Sequence, residues 1–341
     1  MKKKTTLQDI ATALNISTST ASRALQDNPR ISIGVRKKVL DLANELNYFD
    51  KKYPNIPITK KLNAIGVIVP KIGYHLYAQA ISGIELVAEE NGMHLIICQS
   101  NESYEREKSL TQELLDIGVS GLIVSLAGTT KQFDHFLQLK KKNVPLVFFN
   151  RQCDEVETDK VVIDNFKASY DATEHLLSIG CKNIAFIGGP EMLQISNTRL
   201  AGYTKALEDA KIPIDPKFVA YCDFSKASNL SAARKLLYSP SPPDGIIAFS
   251  DQVAISAMLA AKERGLNIPE DLAIIGFNNE PVDELLDPSL TSIDQPAYVM
   301  GKEAAQLIFE KINTPSKDHS QKILKSELVI RNSTNKNKVK L

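Results

Sequence analysis

The chain has few of the features that mark secreted, membrane or catalytic proteins. It holds four cysteines, Cys98, Cys153, Cys181 and Cys222, with no C-x-x-C and no paired spacing. They read as free thiols of a reducing compartment, not as staples or zinc ligands. No apolar run approaches the roughly 18 residues that a membrane span needs. Met1-Lys2-Lys3-Lys4 leads into polar residues without an apolar h-region, so no signal peptide is expected. His75, His94, His135, His175 and His319 stand alone, without an H-x-x-x-H pair, and neither G-x-S-x-G nor H-E-x-x-H occurs. Gly188-Gly189-Pro190 lacks the spacing and the Lys-Ser/Thr of a phosphate-binding loop and reads as a strand-end turn. Catalysis has no visible apparatus, and neither a metal nor a cofactor is expected.

Net charge is nearly absent too, at +1, but the balance is uneven along the chain. Residues 1–61 carry twelve Lys/Arg against five Asp/Glu, or +7, which leaves −6 for the remainder. A basic end on an acidic body is the electrostatic footprint of a nucleic-acid-binding module joined to a part that need not touch the nucleic acid.

The basic end has a recognisable texture. Thr6 followed by Asp9 has the form of a capping box, and Leu7, Ile10, Ala11 and Leu14 then repeat at helical spacing. Asn15-Ile16-Ser17 interrupts the pattern. Thr18-Ser19-Thr20-Ala21-Ser22-Arg23 then opens a second helix whose outer face carries short hydroxyls and one arginine. Two short helices joined by a tight turn can place such side chains in a DNA major groove. Arg23 can donate two parallel hydrogen bonds to guanine, whereas Ser and Thr serve several bases. Ser32 has the position of an N-cap for a third helix, with Arg30 and Arg36 beside it to meet phosphates. Ala21, Leu25, Val39 and Leu46 read as the core of this head.

Beyond a basic, proline-containing linker, Ala64–Val69 is a short continuous apolar run, the mark of a strand buried on both faces. Helical segments (Ala78–Asn91, Glu105–Asp116, Lys131–Lys142) then alternate with strands (His94–Cys98, Gly121–Ser125, Pro145–Phe149). A second unit begins near Asp164, with helices at Lys167–Ser178, Arg199–Ala210, Ser228–Tyr238 and Gln252–Arg264. Its strands fall at Asn183–Ile187, Phe218–Tyr221, Gly245–Phe249 and Leu272–Gly276. Helix Tyr298–Lys311 and one strand, Ile323–Val329, complete the body. Such alternation predicts parallel sheets covered by helices, with a ligand site at the carboxyl ends of the strands.

Residues 6–48 resemble the DNA-binding head of the LacI/GalR family of bacterial transcription regulators. Thr6, Leu7, Asp9, Ile10 and Ala11 match its first helix, and Thr20-Ala21-Ser22-Arg23 matches its recognition helix. Ser32, Arg36, Val39 and Leu46-Asn47-Tyr48 match its third helix and exit, and the likeness continues to about Arg331. The resemblance implies an N-terminal all-α helix-turn-helix head on an α/β body of two doubly wound lobes, of the periplasmic-binding-protein-like type I. It implies a head at 1–49, a linker at 50–63, an effector-binding and dimerisation region at 64–331 and a polar tail at 332–341. Lobe 1 would take about 64–163 and 296–322, and lobe 2 about 164–293 and 323–331. The tail has no leucine heptads for a coiled-coil tetramer.

The resemblance further implies a dimeric regulator, in the first instance a repressor, on a pseudo-palindromic double-stranded DNA operator. A small, carbohydrate-like effector would lie between the lobes. No membrane partner is implied, and the setting would be the bacterial cytoplasm, at the nucleoid. By resemblance Thr18, Ser19 and Arg23 face base edges, Ser17, Thr20 and Ser22 meet phosphates, and Thr6, Arg30, Ser32 and Arg36 join the DNA-facing set. The linker departs from the family pattern. Pro57 stands where a leucine would wedge the minor groove from a hinge helix, and proline opposes that helix. Ile56 or Ile58 as a substitute wedge, or a plain flexible linker, are the two alternatives.

For the effector, the resemblance nominates Tyr74, Tyr77, Asn150, Arg151, Arg199, Phe224, Ser250, Asp251, Asn278 and Gln295. Asn278 replaces a family aspartate in Gly276-Phe277-Asn278-Asn279, which tilts the expectation toward an acidic or phosphorylated ligand. A solute-binding protein or a sugar-modifying enzyme on the same fold are the rival readings. The absent h-region and the basic head count against the first, and the absent acid/base or nucleophile motif against the second.

Overall fold

Local signals in the head become helices where the sequence places them. The computed structural model describes residues 6–25, 28, 30–45, 62–315 and 318–336, and the chain divides into two units at Lys60/Lys61. In the first unit, α1 (Leu7–Ala13) is capped by Thr6, α2 (Thr18–Leu25) follows a short turn, and α3 (Ile33–Glu45) packs across both. Ile10, Ala11, Ala21, Ala24, Val39 and Ala43 are buried, with Leu14, Ile16 and Leu25 packed at the edge. Ile56, Ile58, Leu46, Pro57 and the rest of the linker lie outside the described residues.

The second unit contains two sheets. The first is built from β1 (Leu62–Val69), β2 (His94–Gln99), β3 (Val119–Val124), β4 (Leu146–Phe149), β5 (Asp159–Ile163) and β11 (Gln321–Leu324), in the order β11-β5-β4-β3-β1-β2. The second takes β6 (Ile184–Gly188), β7 (Val219–Tyr221), β8 (Gly245–Ala248), β9 (Ala273–Phe277), β10 (Thr291–Asp294) and β12 (Glu327–Val329), in the order β12-β10-β9-β8-β6-β7. Every pairing is parallel except β10 with β12. The chain passes between lobes after β5, after β10 and between β11 and β12.

Helices α4 (His75–Glu90), α5 (Tyr104–Ile117), α6 (Asp134–Lys141) and α11 (Ala297–Asn313) cover the first sheet. Helices α7 (Asn165–Ser178), α8 (Gln194–Asp209), α9 (Lys226–Leu237) and α10 (Asp251–Arg264) cover the second. Gly83 and Gly301 let α4 and α11 meet backbone to backbone, since a Cβ on either would fall on the facing main chain at Tyr298 or Ala80.

Four features differ from the sequence reading. Strand β5 was not anticipated; it opens with Asp159-Lys160, both of which are buried and paired. Lys160 Nζ lies 2.7 Å from Asp154 Oδ1, and Lys311 Nζ lies 3.3 Å from Asp159 Oδ2. Strand β10 is equally polar and was not anticipated; Ser292 donates to the buried Asp251 carboxylate at 2.6 Å. The single strand expected at Ile323–Val329 is two, β11 and β12, in different lobes, so Ile323 and Leu324 belong with lobe 1. The polar tail also begins later than Asn332: Ser333 and Thr334 are buried in lobe 2, where Ser333 Oγ donates to the Ile274 carbonyl at 2.6 Å.

All four cysteines are free. Burial pushes the Cys153 thiol up to about 12 and that of Cys222 up to about 11. Among the described residues no helix is long and apolar enough to cross a membrane.

Candidate nucleic-acid interface and interlobe cleft

In the head, Ser17 begins α2: its Oγ accepts from the Thr20 N–H at 3.0 Å and lies 2.8 Å from the hydroxyls of Ser19 and Thr20. This hydroxyl cluster occupies the first turn of α2, where orphan N–H groups and the positive helix end favour a phosphate. Arg23 is exposed one turn further on, Ser22 is half-buried beside it, and Thr18 is half-buried at the helix start. Ser32 caps α3, accepting from the Val35 N–H at 3.4 Å, with Arg30 exposed and Arg36 half-buried nearby. Thr6 is a cap first: its Oγ1 accepts from the Asp9 N–H at 3.3 Å and donates to Asp9 Oδ2 at 2.7 Å.

In the body, side chains from both lobes converge on a cleft. Lobe 1 contributes Tyr74, Leu76 and Tyr77 from the start of α4, and Asn150 and Arg151 from the end of β4. Lobe 2 contributes Ile195 and Arg199 from α8, Phe224, Asn229 from α9, Phe249 and Ser250 after β8, Gln252 from α10, and Asn278 and Glu280 after β9. The β4, β8 and β9 segments are carboxyl ends of parallel strands, where open α/β sheets bind ligands. Backbone strain collects here: Asn150, Phe224 and Asn278 adopt φ of 58°, 69° and 108°.

The two cleft arginines are held differently. Arg151 pairs with Glu102 through two contacts, 2.7 and 3.2 Å, and lies over the Phe224 ring, 4.7 Å from its centroid, so the ion pair reaches across to lobe 2. Burial alone would lower Arg151, but the Glu102 carboxylate outweighs it and holds the guanidinium above its ordinary value. Arg199 is 1% exposed and lies between Phe277 and Phe249, 3.8 and 4.8 Å from their centroids. It donates to Asn165 Oδ1 at 2.9 Å and to the Phe249 carbonyl at 2.6 Å. No carboxylate lies within ion-pair distance of Arg199 among the described residues. Burial, reinforced by the Arg151 charge, pushes it down to about 9, although Asp251 and Tyr77 partly offset this. Tyr77 is fully buried, which raises its phenol, and its oxygen accepts from Ser125 and Asn150 at 3.3 Å each.

Two nominated residues do not line the cleft. Asp251 turns inward at the start of α10, accepting from the Glu280 N–H at 3.0 Å and from Ser292, and so ties β9 and β10 to the helix. Gln295 is 5% exposed behind Asn278, and its Nε2 donates to Asn278 Oδ1 at 2.7 Å. Both position cleft residues from behind. Leu76, Ile195, Asn229, Phe249, Gln252 and Glu280 were missed. Leu76 and Ile195 fall in first helical turns that the periodicity placed too late, while Gln252 and Glu280 lie within two residues of nominated positions. Glu102, the partner of Arg151, gave no local signal because the pairing spans 49 residues.

Residues 6–50 match the family described as bacterial regulatory proteins, lacI family, and residues 173–334 match a periplasmic binding protein-like domain. The chain is 33% identical over 329 residues to the HTH-type transcriptional repressor CytR of Escherichia coli strain K12, covering 96% of each. Its structure is similar to the transcriptional regulator CelR in complex with cellobiose, with TM-score 0.73, 27% identity and coverage of 96% and 99%. It is similar also to the lac repressor dimer bound to operator and the anti-inducer ONPF, with TM-score 0.71, 25% identity and coverage of 97% and 99%. These relatives are regulators, not enzymes. The chain belongs to the LacI family of bacterial transcriptional regulators, joining a helix-turn-helix DNA-binding domain to a periplasmic-binding-protein-like effector domain.

Proposed function

We propose that this protein is a dimeric repressor that binds a pseudo-palindromic operator and is controlled by a small, carbohydrate-like molecule in the interlobe cleft. It works in the bacterial cytoplasm, at the nucleoid. Thr18, Ser19 and Arg23 read base edges, while Ser17, Thr20, Ser22, Arg30, Ser32 and Arg36 hold phosphates. The observation that carries the reading is the convergence of aromatic rings, amides and buried arginines from two lobes, on one chain with a helix-turn-helix head. The aromatics supply flat apolar faces and the polar groups fix orientation. A ligand that touches both lobes favours one lobe arrangement, and operator affinity shifts by the ligand's differential affinity for the two arrangements. The names of two relatives, one bound to cellobiose and one a dimer on operator, support the same chemistry.

In vitro selection of DNA by the full-length chain, at one fixed salt concentration, tests this. A selected pseudo-palindrome with a constant centre supports a dimer whose linker engages the minor groove. Half-sites with a variable centre retain the dimer and remove the wedge at Ile56 or Ile58. A pool with no enriched sequence refutes the DNA-reading role.

A further inference from the structure

We infer that the effector is an anion, a sugar acid or a sugar phosphate, whose charged group docks on Arg199 and Asn278. This rests on the reading of the interlobe cleft as the effector site and adds the ligand's chemical class.

Three observations converge. Arg199 is a buried guanidinium held only by an amide oxygen and a main-chain carbonyl, with aromatic rings on its faces. A buried charge without a counter-charge is costly, and an anion arriving in the cleft removes that cost. The second observation is the direction of Asn278. Its Oδ1 is taken by the Gln295 amide, so the group left for a ligand is the Nδ2 donor. Two donors at one place suit an acceptor-only group such as carboxylate or phosphate.

The third concerns the helix starts. The first turns of α4, α8 and α10 line the cleft, and their N-cap residues Tyr74, Leu193 and Ser250 give no side-chain cap. Helices α5, α7 and α9 are capped by Ser103, Asp164 and Ser225, while α6 and α11, away from the cleft, also lack a side-chain cap, so this observation is secondary to the first two. Uncapped helix N-termini add partial positive charge to the cleft. None of the carboxylates near the cleft pairs directly with Arg199: Glu102 is engaged by Arg151, Glu280 accepts from Gln252 at 2.8 Å, and Asp251, whose charge offsets the burial of Arg199 only in part, is turned to the Glu280 N–H and Ser292. Glu280 is then available to the hydroxyls of the same ligand.

The test is calorimetric titration of the full-length chain, at constant ionic strength, with matched sets: glucose, gluconate and glucose 6-phosphate, then ribose and ribose 5-phosphate, with inorganic phosphate alone as the minimal probe. The charged members are expected to bind about tenfold or more tightly than their neutral parents, and inorganic phosphate to bind saturably above a chloride control. Gluconate against glucose 6-phosphate separates carboxylate from phosphate. Asn278→Asp, which places a carboxylate in the same cleft as Arg199, is expected to cancel the preference; Arg199→Lys is the second variant.

Neutral sugars binding as well as their charged counterparts, or no binding by any member, overturns the anion assignment. If neutral binding is lost in Phe224→Ala, the cleft reading survives that failure. Binding of any member that is unchanged in Phe224→Ala, Arg199→Lys and Asn278→Asp removes the cleft reading itself.

Discussion

At the scale of single residues, the same residue type means different things by its partners. Arg23 is exposed on α2, and the proposed role for it is to read a base edge through two parallel hydrogen bonds. Arg23→Ala is expected to weaken operator binding by about 1–3 kcal/mol and to relax preference at one base pair, measured by fluorescence anisotropy on operator variants at fixed salt. Equal loss on every sequence would reassign Arg23 to a phosphate. Thr6 is a hydroxyl at the head's start, but its geometry is that of a cap. Thr6→Ala should destabilise the head by about 1 kcal/mol and Thr6→Ser should restore it, read by thermal unfolding without DNA. Ser32 and the Thr6–Asp9 pair were legible as caps because each acts within one helical turn. Asp251 and Gln295 were not. Whether a polar side chain after a strand faces the cleft or the sheet depends on acceptors and donors brought from tens of residues away, here Ser292 and Asn278.

At the scale of elements, apolar periodicity located the helices and the central strands, and it failed at edges. Strands β5 and β10 are polar in sequence because their charges and hydroxyls are satisfied by tertiary partners, Lys311 and Asp154 for one, Asp251 and Arg331 for the other. The α4–α11 contact is the element pair most exposed to a one-carbon change, because Gly83 faces the Tyr298 main chain. Gly83→Ala is expected to force the helices apart and cost about 1–3 kcal/mol, as overpacking does, seen as a lower urea midpoint at an unchanged slope. An unchanged midpoint would show that the two helices separate freely.

At the scale of the whole molecule, a buried acidic cluster makes body stability depend on pH. Burial pushes Asp283 up to about 7, Arg331 pulls it back in part, and Glu280 raises it further; Asp251 beside it is also raised, by burial and then by Asp283. A carboxyl raised in the folded state keeps its proton after the unfolded chain has lost its own near pH 4. Through Asp283, stability therefore falls as pH rises from about 4 to about 7. Asp283→Asn should gain on the parent protein across that window, by about 2–4 kcal/mol at pH 8. Urea unfolding at pH 4.5 and pH 8 measures it, and a constant difference between the two proteins would remove Asp283 as the source.

By itself the sequence determined the head, the alternation of strands and helices, the family and most of the positions that meet in the cleft. Those rest on short-range physics: caps, periodicity, and the need of apolar runs to be buried. Tertiary structure alone decided which carboxylate neutralises which arginine. Glu102 reaches Arg151 from an earlier loop, and among the described residues Arg199 receives no such partner. It also decided that one apparent strand serves two sheets and that Asn278 Oδ1 accepts from Gln295. Charge pairing and amide direction are set by distances in space between segments far apart along the chain, which no local pattern records.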